Sequence, residues 1–257
     1  MSTATNDRQR VSFVSDLHLL SRRSSAPRHL DSLHAVARKS QHFVLGGDIF
    51  DFKWSTLHSL DASIAAAESW LFELAQATPE CRFHFLLGNH DSHPALIQRL
   101  PALACRLPNF AWEHFFLRMG DTIFLHGDVA DRHSTTQCLL EARRNGFCHE
   151  SRSKMHHGAY DLVVRSHLHR IIPTAVYPRK TVARRILHYL RDIAQGPEQG
   201  IRRVCFGHTH RIVLGFEHGG VTFFNGGAPI GKARFHVLEF DVETPGADPA
   251  VTLVSVG

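Results

Sequence analysis

Disulfide chemistry has little to work with in this sequence. The five cysteines, Cys81, Cys105, Cys138, Cys148 and Cys205, are odd in number and widely spread. None forms a C-x-x-C pair, which argues against a disulfide framework and against a zinc ribbon, and makes buried reduced thiols the expectation. No apolar run approaches the length of a transmembrane helix, and Met1–Arg10 lacks the apolar stretch of a signal peptide. A cytoplasmic protein is the expectation. Internal repeats, low-complexity tracts and long Pro/Gly/Ser linkers are also missing, so a single domain over residues 1–257 is predicted.

Histidine is present in excess, 21 residues against 3 Trp and 3 Tyr. It is the commonest metal ligand and the side chain that titrates near neutral pH. The formal charge of +5 suits acidic partners: phosphates, nucleic acids or an anionic membrane surface. With 43% hydrophobic and 21% charged residues, the composition is that of an ordinary globular protein with a sizeable core.

A local pattern recurs: a short apolar run, then a cluster of Asp, His, Asn and Gly. Val11–Val14 leads into Ser15-Asp16-Leu17-His18, His42–Leu45 into Gly46-Gly47-Asp48, and Phe83–Leu87 into Gly88-Asn89-His90-Asp91. Thr122–Leu125 leads into His126-Gly127-Asp128, and Arg203–Phe206 into Gly207-His208-Thr209-His210. Such runs, bounded by Gly and polar residues, read as buried strands. Between the early strands, Ile64, Ala67, Leu71 and Leu74 share a helix face that Asp61 is placed to cap, and Pro27–Lys39 reads as a helix with Leu30, Leu33 and Ala37 inward. Strands alternating with helices imply βαβ units and a largely parallel sheet. The late runs Val221–Phe224, Phe235–Phe240 and Val251–Val256 have no helices between them and suggest antiparallel strands, as of a second sheet. Ligands of open α/β sheets bind at the carboxyl ends of strands, where each polar cluster lies. Residues 129–203 break the pattern: helical in character and basic, they read as an insertion that caps or flanks the site.

Two divalent cations roughly 3.5–4 Å apart repel each other and need a shared anionic ligand. The remaining ligands suited to Mn, Fe, Zn or Co are carboxylate, imidazole and amide groups. Asp16, His18, Asp48, Asn89, His126, His208 and His210 supply that set. In extended backbone, residues two apart point the same way, so Asp16 with His18, and His208 with His210, can aim together. Glycines before Asp48, Asn89 and His208 permit the sharp turns that follow a strand.

Asp16-x-His18, Gly47-Asp48-x-x-Asp51, Gly88-Asn89-His90-Asp91, His126-Gly127-Asp128 and Gly207-His208-Thr209-His210 resemble, in content and order, the calcineurin-like metallophosphoesterase family. The resemblance spans roughly residues 11–130 and 203–240. It implies an α/β fold: a four-layer αββα sandwich of two mostly mixed β-sheets flanked by helices, with the helical insertion near the active site. It also implies one metal on Asp16, His18 and His210, a second on Asn89, His126 and His208, and Asp48 bridging. His90 then protonates the leaving oxygen, with Asp91 fixing its orientation. The implied chemistry is in-line attack by metal-bound hydroxide on a phosphate ester or pyrophosphate, with two divalent ions (Mn, Fe, Zn or similar).

Other residues carry blander readings. Asp51 is expected to support the ligand shell, while Asp128 and Asp131 either meet substrate or cap the next helix. Asn225-Gly226-Gly227 reads as a structural turn. His156-His157 and His167-x-His169 read as exposed histidines of the basic insertion, since no carboxylate or Cys accompanies them. Val182, Ile186, Tyr189, Leu190 and Ile193 form an apolar helix stripe whose default is packing on the core; contact with an anionic membrane is the alternative.

Ser15-Asp16-Leu17-His18-Leu19, Gly47-Asp48-Ile49-Phe50-Asp51 and the basic insertion before Gly207-His208-Thr209-His210-Arg211 look like the UDP-2,3-diacylglucosamine hydrolase branch of the family. This branch implies a lipid-linked nucleotide substrate cut at its pyrophosphate by an enzyme peripheral to the inner face of a membrane. The chain departs from it at His90, where the best-known members have Arg, and after Asn225. Phe52 departs from the protein serine/threonine phosphatases, which carry Arg there. A phosphodiesterase or phosphatase acting on a small soluble nucleotide is the alternative, and a non-catalytic scaffold of the same fold is the alternative of another class. No dedicated nucleic-acid-binding motif is found, and the oligomeric state is left open.

Overall fold

The computed structural model describes residues 9–132, 135–147, 176–242 and 251–256. Strands β1 (Gln9–Val14), β2 (His42–Gly46), β3 (Arg82–Leu86) and β4 (Phe110–Glu113) run parallel, with helices α1 (Leu30–Ala37), α2 (Leu60–Gln76), α3 (Pro94–Ile97) and α4 (Leu100–Arg106) in the connections. β5 (Phe116–Met119) and β6 (Thr122–Leu125) then form a hairpin-like antiparallel pair. Helices α5 (Thr136–Phe147) and α6 (Arg179–Asp192) separate β6 from β7 (Arg203–Phe206), and β8 (Val213–His218), β9 (Val221–Asn225), β10 (Phe235–Val242) and β11 (Val251–Val256) complete the chain. The first sheet has the order β11-β10-β1-β2-β3-β4 and the second β5-β6-β7-β9-β8.

Alternation along the strands sorts the apolar side chains into three cores. Val14, Phe43, Leu45, Phe83 and Phe85 face α1–α4. Val11, Phe13, Val44 and Leu86 point the other way and meet Phe124, Cys205 and Phe224 of the second sheet. Ile123, Leu125, Val204, Phe206 and Phe223 face outward onto α6. Successive strand residues point to opposite faces, so this two-sided burial produces helix, sheet, sheet, helix as four layers. The expected α/β sandwich of two mixed sheets is what the chain forms.

Several local expectations change. The cap of α2 is Ser59, whose side chain accepts the Ala62 amide; Asp61 lies inside the first turn. The late strands do not form a sheet of their own: β10 and β11 extend the first sheet antiparallel beside β1, while β9 joins the second beside β7. Of the described cysteines, Cys81 and Cys205 are buried but Cys105 and Cys138 are exposed. Val182, Ala183, Ile186, Leu187, Tyr189 and Leu190 of α6 are buried in the second core, so the apolar stripe is turned inward and its membrane-facing alternative falls. His156-His157, His167-x-His169, Cys148 and the basic residues Arg152, Lys154, Arg165 and Arg170 lie outside the described residues. No helix among the described residues is long and apolar enough to cross a membrane.

Candidate metal centre

The five polar clusters follow β1, β2, β3, β6 and β7, the strands at the middle of the two sheets, so their loops converge where the sheets meet. The turns are tight. Asp16, His18, Asp48, His208 and His210 all have left-handed backbone, with φ between 46° and 64°. Non-glycine residues rarely adopt it, at roughly 1–2 kcal/mol each. Asp16 N–H donates to the Gly47 carbonyl (3.0 Å) and His18 N–H to the Asp48 carbonyl (2.9 Å), which locks the first two loops together. Close approach explains two glycines. A Cβ on Gly88 would strike the Asp48 carboxylate, and one on Gly207 would strike that of Asp16.

Asp16, His18 and His210 bring one candidate ligand atom each within 4.8 Å of one another, and so do Asp48, His126 and His208. Asp48 stands between the two groups: Oδ2 is 4.0 Å from His18 Nε2 and 3.4 Å from His126 Nε2, while Oδ1 accepts the His90 amide at 2.7 Å. His126 Nε2 and His208 Nδ1 both face Asn89 Oδ1, at 3.0 and 3.1 Å. On the first group's side, His18 Nε2 lies 3.0 Å from His210 Nε2, which is 3.5 Å from Asp16 Oδ1. All seven predicted ligands therefore meet around one carboxylate.

Tautomers sharpen this. The Gly46 carbonyl is 3.2 Å from His126 Nδ1 and can only accept, so the proton sits on Nδ1 and the Nε2 lone pair faces the Asn89 and Asp48 oxygens. A nitrogen lone pair facing two oxygens at that range calls for positive charge between them, a metal ion or, in the metal-free site, a proton on Nε2. The electrostatics agree. Burial would depress His126 and His18, but Asp48 and neighbouring carboxylates overcome it, raising them to about 10 and about 9. Burial would likewise raise Asp48, yet the surrounding imidazoles hold it well below the usual carboxylate range. A buried pocket that retains protons so strongly is one whose field favours positive ions. The donor set thus fits divalent cations of the Mn, Fe or Zn type.

His90 sits at the rim, and its brace differs from the one expected. Asp91 is fully buried, with Oδ1 accepting the Gly88 amide (2.7 Å) and Oδ2 the Ile49 amide (2.8 Å); it ties loops together and does not hold His90. Burial and Asp48 raise its pKa to about 6. Asp51 holds the ring instead: its Oδ1 is 2.8 Å from His90 Nδ1, and its Oδ2 is 3.5 Å from His18 Nδ1. Asp128 lines the larger recess beside the centre and caps no helix with its side chain. It forms a buried two-pronged ion pair with Arg143 of α5, at 2.8 and 3.0 Å. Asn225 belongs to the expected turn and also stands close to the site: its buried amide donates to the Gly207 carbonyl (2.9 Å) and to Thr209 Oγ1 (3.2 Å), bracing the His208–His210 loop.

Two recesses flank the centre. A polar cleft of ≈ 320 Å³ is walled by Lys53, Asn89, Asp131, Arg132 and Arg143. A smaller one of ≈ 60 Å³ is walled by His18, Asp51, His90 and His210 with Arg23, whose guanidinium lies 3.8 Å over the Trp54 ring.

Among solved structures, the chain is similar to a dimetal phosphatase from Danio rerio (11% identity, TM-score 0.48, covering 97% of this chain and 99% of that one). It is also similar to an archaeal phosphodiesterase (13%, TM-score 0.43, 95% and 99%) and to Vps29 of Chaetomium thermophilum (12%, TM-score 0.42, 96% and 97%). No curated protein matches the chain. Residues 9–211 match the family model described as calcineurin-like phosphoesterase, and with most of its length so matched the chain belongs to that family of metal-dependent phosphoesterases.

Proposed function

We propose that this centre holds two divalent cations and hydrolyses a phosphodiester or pyrophosphate bond of a small, soluble, nucleotide-like substrate. Asp16, His18 and His210 would hold one ion, and Asn89, His126 and His208 the other, with Asp48 shared. The observation that carries the reading is the Asp48 carboxylate standing between two groups of imidazole and oxygen donors, Asp16–His18–His210 and Asn89–His126–His208. Bound divalent ions supply Lewis acidity toward a phosphoryl oxygen and a water nucleophile of lowered pKa.

The chain's own residues do the rest. Asp51 engages His90 Nδ1, so Nε2 is the nitrogen left to deliver a proton to the leaving oxygen. Asp48 also accepts the His90 amide, which fixes the base of that side chain relative to the ligand set. The recesses on either side of the centre suit a phosphorus bearing two substituents, as in a diester or anhydride. Lys53 and Arg132 give the larger one a cationic wall, suited to an anionic arm. The lipid-linked substrate of the UDP-2,3-diacylglucosamine hydrolase branch draws no such support. The apolar pocket beside α6, lined by Val182, Phe206, Val213 and Phe223, measures only ≈ 10 Å³, too small for an acyl chain among the described residues.

Purified protein loaded with Mn, Co or Ni is expected to hydrolyse bis(p-nitrophenyl) phosphate and to be inhibited by soluble nucleotides. Two bound cations without hydrolysis of any diester or pyrophosphate would instead favour a binding scaffold.

A further inference from the structure

His208 follows β7, and its ring is gripped from outside the ligand set. Asp131 Oδ1 lies 2.7 Å from His208 Nε2. That same oxygen accepts the Tyr177 hydroxyl at 2.7 Å, and the Tyr177 ring stands edge-on to the imidazole with centroids 5.8 Å apart. Asp131 and Tyr177 lie 46 positions apart in the long connection between β6 and β7, Asp131 just after β6 and Tyr177 just before α6. Each is anchored. Arg185 of α6 donates to the carbonyls of Ala130 and Asp131 (2.6 and 2.7 Å), and Arg211 donates to the carbonyl of Tyr177 (3.0 Å).

A neutral imidazole carries one proton, so whichever nitrogen donates leaves the other as the lone pair. A carboxylate can only accept, which puts the His208 proton on Nε2 and directs Nδ1 at Asn89 Oδ1, 3.1 Å away. His126, the neighbouring ligand candidate, has the opposite arrangement: its proton is held on Nδ1 by a backbone carbonyl of the first sheet. The two rings thus present different nitrogens to one Asn89 oxygen, and only the His208 choice depends on residues of the β6–β7 connection.

We propose that Asp131, oriented by Tyr177, is a positioning residue that selects the metal-facing nitrogen of His208, and so ties filling of the Asn89–His126–His208 site to two distant points of the β6–β7 connection. The inference rests on the two-cation reading above. A carboxylate behind a ligating histidine fixes the tautomer and raises ligand basicity, and its loss typically weakens metal binding roughly 10- to 100-fold.

The test is calorimetric titration of the full-length, metal-stripped protein with Mn, repeated with Co while its visible absorption is recorded. Wild type is expected to bind two equivalents. Asp131→Ala should weaken only the second equivalent, by roughly 10- to 100-fold, and change its cobalt spectrum, with the first left within about threefold. Asp131→Asn, whose amide oxygen still accepts from Nε2, should recover part of the loss, and Tyr177→Phe should cost less than Asp131→Ala. Fewer than two equivalents in wild type would sink the two-cation reading itself. Two unchanged equivalents in Asp131→Ala would overturn the role of Asp131 alone. So would equal weakening of both equivalents, or a raised KM with intact metal binding, which would make Asp131 a fold or substrate contact. If Asp131→Ala does not fold, Asp131→Asn and Tyr177→Phe decide, and unchanged second-site affinity in both overturns the proposal.

Discussion

On the first sheet, the groups that brace the site belong to the ligand-bearing loops themselves, each loop holding the other. Asp51 holds His90, Asp91 joins the amides of Ile49 and Gly88, and Asp48 takes the His90 amide, all within the loops after β2 and β3. The half contributed by the second sheet is braced from outside its ligand-bearing loops. Asp131 and Tyr177 grip His208, Asn225 supports the loop that carries His208 and His210, and Arg143 of α5 pins Asp128 just past His126. Bracing within the ligand loops survives changes elsewhere in the molecule; bracing from outside them makes a ligand sensitive to the packing of the segments that supply it.

Three measurements bear on that contrast, in descending order of effect. His90→Ala should lower kcat by roughly 10²- to 10⁴-fold, the range for loss of a general acid, while both metal equivalents are retained. Near-normal turnover would remove His90 from the chemistry, and loss of metal would make the first half less self-contained than its geometry suggests. Asp128→Ala leaves the Arg143 guanidinium buried without its carboxylate and should cost about 3–5 kcal/mol of stability, a fall in Tm near 10 °C at roughly 2–4 °C per kcal/mol. Pairing it with Arg143→Met should restore much of the loss. An unchanged melting curve for Asp128→Ala would mean that α5 does not brace the second half.

The smallest effect belongs to neither half. His42 and His84 lie on the face of the first sheet that also carries Val44 and Leu86, with their ring nitrogens 3.0 Å apart. Burial, with His42 and Arg82 nearby, lowers His84 to about 4. The unfolded chain therefore binds its proton more readily, so stability is intact above pH 6.5, declines as pH falls, and levels off near pH 4. The loss is at most about 3 kcal/mol, from 1.36 kcal/mol per pKa unit. Urea unfolding between pH 7.5 and pH 4 should show His84→Gln less pH-dependent than wild type; identical slopes would reject this account.

Much of the first half was legible in the sequence because its signals are contiguous. Runs such as Val11–Val14 and Phe83–Leu87 end in the residues that meet at the centre, and β6 and β7 have the predicted bounds. The strands β4, β5 and β8 were not legible, since exposed charged residues such as Glu113, Arg118 and Glu217 interrupt their apolar pattern. Adjacency misled at Asp91: standing next to His90, it suggested a pair, but the turn aims its carboxylate at backbone amides. The sequence marks Asn225 and Asp131 as candidates but not their partners, which lie 18 and 77 positions away. Contacts of that span are set by how the second sheet folds, which a local motif does not encode.

The left-handed backbone at Asp16, His18, Asp48, His208 and His210 carries a lesson for anyone borrowing this site. Its side chains are aimed by loop shapes that ordinary strand ends do not adopt and that the packed sandwich holds in place. Copying the seven residues onto another scaffold without its contorted turns would transplant the chemistry's letters but not their address.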